Sequence, residues 1–243
     1  MRNFALMLVA MIVWPVSGFS QITTYNPIQR SYQPMTVSQS KPGLPIYIQI
    51  LKEERKLDLY AEIGNHYQLV QSFPICKFSG GLGPKHRTGD LKSPEGFYTI
   101  KPSQLNPESH YTKAINIGYP NPYDRAHGYT GDDLMIHGAC VSIGCYAMTD
   151  RAIETIYTWV NAAFVGGQKE IHVDIFPFAL TNEKLYQHRF YHDATFWAEL
   201  KSGYDYFQLN HRPPIMNGSS GHYFLQTGFL ATTQFQPSKH WQS

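Results

Sequence analysis

Cysteine and charge are scarce in this chain, and beyond its first residues it has no long apolar run. Only three cysteines, Cys76, Cys140 and Cys145, occur in 243 residues, so neither a disulfide-dense scaffold nor a zinc knuckle of paired Cys-x2-Cys can be built. Charged residues make up 16% of the chain, and 20 Lys and Arg against 18 Asp and Glu give a formal net charge of +2. There is no basic run of the kind that follows phosphates, which removes nucleic acid from the expected partners. No internal repeat is evident. A serine-hydrolase elbow is also missing, because Ser142 stands in Cys140-Val-Ser-Ile-Gly144, without the first glycine of Gly-x-Ser-x-Gly.

What is present begins with a leader. Arg2 precedes an uncharged run from Phe4 to Val16, and small residues follow at Ser17, Gly18 and Ser20. This is the pattern of a signal peptide over residues 1–20, and the run is shorter than the roughly 20 residues a membrane-crossing helix needs. No cysteine stands near Ser20–Gln21 for lipidation, so the expectation is an exported, periplasmic protein without a stable membrane anchor. Removing the leader takes away Arg2 alone and brings the net charge to +1. In such a compartment disulfides persist, and an odd number of cysteines leaves at least one thiol unpaired within the chain. Sequence cannot choose among the three pairings, of which Cys76 with Cys140 is one.

Residues 21–43 read as an extended lead-in, too polar and aperiodic to build a core. From Ile46 the pattern turns to strands: Ile46, Ile48 and Ile50 alternate with polar positions, as do Leu57, Leu59 and Ala61, and Tyr67–Val70 follows. Turns are expected at Lys52–Lys56 and Gly64–Asn65. Further strand candidates are Phe73–Phe78, Gly96–Ile100, Ala114–Ile117, Leu134–Ile136 and Ile171–Phe176. One helix is clearly marked: Thr149 or Asp150 can cap it, Ile153, Ile156, Tyr157, Val160 and Phe164 share a face, and Gly166–Gly167 stops it. A second is expected around Ala194–Lys201. The fold class is therefore mainly β with α (α+β), with a catalytic domain over 44–176 and a C-terminal extension over 177–243, packed on it and ending in a flexible polar tail.

The densest chemical signal is Asp133-Leu-Met-Ile-His137-Gly138-Ala-Cys140-Val-Ser142-Ile-Gly144-Cys145-Tyr146. A strand delivers His137 to a loop, and two glycines let backbone approach a ligand before Cys145 and the helix cap. A nucleophilic thiol needs a base, a favourable local potential and donors for the oxyanion. Here His137 can be the base, and N–H groups around Gly144, Cys145 and Tyr146 can be the donors, with Gly138 and Ser142 shaping the loop. His137, Cys140 and Cys145 could instead supply three zinc ligands, but a fourth is missing, so no metal or cofactor is expected. His86, His110, His127 and His172 carry ordinary solvated or structural roles, His172 facing outward beside Ile171 and Val173. Lys85-His86-Arg87 reads as an exposed charged turn.

These residues resemble the YkuD-type L,D-transpeptidases, whose motif is His-Gly followed downstream by Ser-His-Gly-Cys. The matching stretches are Ile136-His137-Gly138 and Ser142-Ile143-Gly144-Cys145, with Ser93-Pro94-Glu95-Gly96-Phe97-Tyr98-Thr99-Ile100 resembling a second family element. The similarity is closest to the YafK-like branch, through Pro74–Gly81, Gly144–Asp150, Phe196-Trp197 and Gly203-Tyr204-Asp205. The resemblance implies that Cys145 attacks a peptidoglycan stem-peptide carbonyl at meso-diaminopimelate, with His137 as base and a thioester acyl-enzyme as intermediate. An amine acceptor then gives transpeptidation and water gives hydrolysis, which in this branch includes cutting the link between peptidoglycan and a lipoprotein lysine. Two positions depart from the family: Ile143 replaces the second His, and Ala147 stands where many members carry Arg. Outside this class, the sequence is compatible with a non-catalytic wall-binding module or a metal-dependent hydrolase.

Overall fold

The computed structural model describes residues 41–226. The leader, most of the lead-in and the polar end from residue 227 lie outside the described residues.

The alternation after Pro45 becomes a meander: β1 (Ile46–Leu51), β2 (Lys56–Ile63) and β3 (His66–Pro74) pair antiparallel in sequence order. β1 is buried along its whole length, because its two faces meet two different layers. Ile46, Ile48 and Ile50 enter the larger apolar cluster, while Leu51 belongs to a second one. Tyr47 faces the second layer too, its ring 4.6 Å from that of Phe207. Period-two alternation is what divides one strand between two cores. β4 (Gly96–Ile100) and β9 (Ile171–Phe176) complete this sheet in the order β3-β2-β1-β9-β4, β9 running parallel to β1.

A smaller, four-stranded sheet carries His137. β5 (Leu105–Asn106), β6 (Ala114–Asn116), β7 (Met135–His137) and β8 (Tyr146–Ala147) are neighbours in that order, and β7 and β8 are parallel. The short helix α1 (Pro122–Ala126) lies between β6 and β7. α2 (Asp150–Val165) has Thr149 as its N-cap, the hydroxyl accepting from the Ala152 amide. Its buried face, Ile153, Ile156 and Val160 among others, joins the larger cluster. Each such aliphatic side chain contributes about 1.5–3 kcal/mol on full burial.

After β9 come α3 (Asn182–Gln187) and α4 (Ala194–Asn210). Trp197, Leu200 and Tyr204 of α4 pack with Leu51, Phe176, Phe178 and Tyr223 in the second cluster. The Trp197 indole donates to Glu95 Oε2 at 2.8 Å. Glu95 Oε1 holds the Lys52 ammonium at 2.8 Å, and that ammonium also reaches the carbonyls of Gly83 and Ser93, each at 3.0 Å. Lys52 and Glu95 are fully buried, so breaking this knot by removing one partner costs about 3–5 kcal/mol.

Three expectations change. The strand Phe73–Phe78 does not form: β3 ends at Pro74, which has no N–H for the ladder, and the chain then touches the small sheet through a single bridge from Lys77 to Ala147. Lys85 is buried at 4% exposure rather than exposed, because its ammonium finds Asp90 Oδ1 at 2.7 Å and the Arg87 carbonyl at 3.0 Å. His172 is partly covered, and burial lowers its affinity for a proton despite nearby Glu170.

Candidate active site

β7 places His137 and β8 follows Cys145, so the parallel register decides their relation. Ile136 lies opposite Tyr146 and His137 opposite Ala147. One residue back, Cys145 is level with Met135, and Met135 and His137 share a face because side chains alternate along a strand. Cys145 directly precedes the paired residues of β8, so this register brings its segment beside β7, the strand that carries His137.

His137 is 2% exposed, and its Nδ1 lies 2.6 Å from the Gly138 carbonyl oxygen. A carbonyl only accepts, so Nδ1 carries the proton and Nε2 is the nitrogen left with a free lone pair. Burial lowers the proton affinity of this ring, while the bond to Gly138 pulls the other way. The opposite shift acts on Cys145, the one free cysteine among the described residues and half-buried. Burial raises its thiol pKa and Asp133 adds to that; the Met135 backbone N–H and, more weakly, Lys85 oppose it. Its Sγ donates to the Asp133 carbonyl at 3.5 Å. Both shifts run toward the uncharged form, burial disfavouring the thiolate of Cys145 and the imidazolium of His137 alike.

The other two cysteines form a disulfide, Cys76–Cys140, with Cα atoms 5.2 Å apart. A zinc set drawn from His137, Cys140 and Cys145 fails on this ground, since the Cys140 sulfur is committed. The bridge pins the loop between β7 and β8 to the segment after β3, which is already tied to Ala147 by amides of Cys76 at 2.9 Å and Lys77 at 3.1 Å. Ala139 and Cys140 adopt positive φ, 65° and 52°, an uncommon state for residues with a Cβ.

Within that loop Ser142 Oγ donates to the Cys145 carbonyl at 2.7 Å and accepts from the Gly144 amide at 3.2 Å. Gly144 has φ 142°, which few side chains tolerate. Gly138 is required by space, because an added Cβ would come within 2.6 Å of Asp150 Oδ1 and 2.7 Å of the Tyr111 carbonyl oxygen. Tyr146 is fully buried, its hydroxyl donating to the Pro94 carbonyl at 2.6 Å.

Further residues complete the surroundings. Ser93 Oγ donates to the Cys145 carbonyl at 3.2 Å, so the Ser93-Pro94-Glu95 element grips both Cys145 and Tyr146, and its motif was a signal that could have flagged it. Tyr111 carried none, since its nearness depends on which strands become neighbours, whereas Asp133 and Met135 lie inside the motif segment without a role of their own being read there. Ile143 projects into solvent at 82% exposure, whereas Ala147 is fully buried.

The family model for the L,D-transpeptidase catalytic domain, YkuD, matches residues 45–174. YafK of Escherichia coli K12, which is named as an inferred L,D-transpeptidase, is 50% identical over 230 residues, covering 93% of this chain and 91% of that one. Among solved structures, the helical cell shape determining protein Pgp2 from Campylobacter jejuni is 20% identical, covering 74% of this chain and 78% of its own, with a TM-score of 0.44. A single-site mutant of Pgp2 gives 22% identity over 67% of this chain and 56% of its own, with a TM-score of 0.46. Matched by the family model over more than half its length and by a relative at 50% identity, the chain belongs to the YkuD family of L,D-transpeptidase catalytic domains.

Proposed function

We propose that this is an exported, periplasmic cysteine enzyme acting on peptidoglycan stem peptides at meso-diaminopimelate. The observation that carries the reading is the His137 imidazole, pinned through Nδ1 to the Gly138 carbonyl with Nε2 left free to act as base, on the strand beside which Cys145 leads into β8. In the reaction Nε2 takes the thiol proton as Sγ adds to the peptide carbonyl. Backbone N–H groups around Gly144, Cys145 and Tyr146 stabilise the oxyanion. The intermediate collapses to a thioester as the C–N bond breaks and the imidazolium returns its proton to the leaving amine. A second amine or water then attacks the thioester and regenerates the thiol.

Intact-mass analysis with a carbapenem tests this: wild type gains one adduct on Cys145 and Cys145→Ala gains none. An unmodified wild-type protein refutes it, as does a Cys145→Ala variant that keeps its activity on sacculi, which would point instead to a different nucleophile or a wall-binding role. Hydrolysis of the link between peptidoglycan and lipoprotein lysine is a second reading. It is favoured by Ala147, which is buried and offers no charge where many relatives carry Arg. Mass spectrometry on lipoprotein-linked and tetrapeptide muropeptides separates the two by whether a bond is lost or formed.

A further inference from the structure

Between β5 and β6 the chain turns through residues 107–113 and lays the Tyr111 ring against His137. Ring centroids are 4.6 Å apart and the planes meet at 34°, within the range where aromatic pairs attract by about 0.5–1.5 kcal/mol. Tyr111 is 40% exposed and His137 only 2%, so the tyrosine is the wall between imidazole and solvent. Its hydroxyl has no hydrogen-bond partner among the described residues; the ring contact is what the side chain contributes.

The turn is clasped to the catalytic strand by its backbone. The Gly138 amide donates to the Tyr111 carbonyl at 3.0 Å and, less directly, to that of Lys113 at 3.4 Å. Thr112 Oγ1 donates to Asp150 Oδ1 at 2.8 Å, and the same oxygen takes the Ala139 amide at 2.8 Å. The His137 ring is otherwise fixed by one pivot, its bond to Gly138. One hydrogen bond limits rotation weakly, whereas a second contact across the ring face sets the plane.

We propose that Tyr111 is a positioning residue for His137: its ring fixes the imidazole plane so that Nε2 stays turned toward Cys145, and it closes one face of the base to water. The inference rests on the reading of Cys145 and His137 as the working pair. Other titratable groups on the elements that meet here do not replace this contact. The Lys113 ammonium turns away to the Pro107 carbonyl at 2.8 Å and over the Tyr157 ring. Asp150 is engaged with Thr112 and Ala139, and Cys145 lies across the strand pair.

The test uses the full chain and the variants Tyr111→Ala and Tyr111→Phe. The His137 imidazole is titrated by NMR, and the rate at which iodoacetamide alkylates Cys145 is followed against pH. In Tyr111→Ala the His137 midpoint rises, because the ring gains water, and alkylation near pH 7 slows about threefold to tenfold, the range of one lost ring contact. Tyr111→Phe stays within about twofold of wild type, since it keeps the same ring contact. An unchanged His137 midpoint in Tyr111→Ala overturns the proposal even if the protein melts earlier, since that is loop packing alone. Equal damage in Tyr111→Phe also overturns it. A shifted midpoint with alkylation indifferent to both Tyr111→Ala and His137→Ala upholds the ring contact and instead removes His137 as the base.

Discussion

The Cys76–Cys140 bridge closes a stretch of 64 residues, and that length sets what its loss should cost. In the chain-entropy description, cross-linking a loop of this size removes about 4 kcal/mol of freedom from the unfolded ensemble. For a fold in the 150–250-residue class, where each kcal/mol moves the melting midpoint by about 2–4 °C, the shift is about 10 °C. The perturbation is the double variant Cys76→Ser with Cys140→Ser, because a single replacement leaves an odd thiol free to exchange with Cys145. Thiol titration in denaturant first confirms the pairing: one reactive thiol per chain without reductant, three with it. Urea unfolding of wild type and double variant then gives the free-energy difference. A change below about 1 kcal/mol would refute the reasoning, showing that the amide bonds from Cys76 and Lys77 to Ala147 hold the segment without the bridge.

Other perturbations have defined outcomes. Asp90 is held at about 2: burial pushes its carboxyl up, but the Lys85 ammonium and amides of Arg87, Lys92 and His86 outweigh it. Its stabilisation is complete above the unfolded value near 3.8 and is lost as the pH falls toward 2, so Asp90→Asn should lack that acid limb, worth about 1–2 kcal/mol; unfolding curves at stepped pH report it. Trp197→Phe keeps the ring but strips Glu95 Oε2 of its donor, and calorimetry should show a loss of about 1–3 kcal/mol. Gly138→Ala forces a Cβ into the Asp150 carboxylate and the Tyr111 carbonyl, costing about 1–3 kcal/mol together with slower Cys145 alkylation. Wild-type Cys145 should alkylate faster as pH rises, with its midpoint above the ordinary thiol range because burial opposes the thiolate.

Elements whose signal is local were legible in the sequence. β4 and β9 occupy the residues their alternation marks, and α2 begins at the Thr149 cap. α4 runs on to Asn210, well past Lys201, and passes through Gly203. It reads as a helix breaker, yet it is there because a Cβ would lie 2.5 Å from the Phe97 ring; packing overrides propensity at that point. The same limit hid Lys85, whose charge suggested solvent while its partner Asp90 lay five residues on. Of the candidate site, His137 and Cys145 stand out in the sequence through their motif, whereas the disulfide, the grip of Ser93 and the Tyr111 ring depend on which strands become neighbours.

The Lys52–Glu95–Trp197 knot has a consequence for how the enzyme could be divided. A chain ending at Phe176 would retain every strand of both sheets that carry β1 to β9, and the whole family-matched segment. It would also bare Phe176 and Leu51 to water and leave a buried glutamate short of a donor, two residues from the Ser93 hydroxyl that donates to the Cys145 carbonyl. The segment beyond β9 thus acts as part of the scaffold of the family-matched domain: evolution can vary the outer surface of α4, but it cannot discard the helix without rebuilding the second apolar cluster and the surroundings of Glu95.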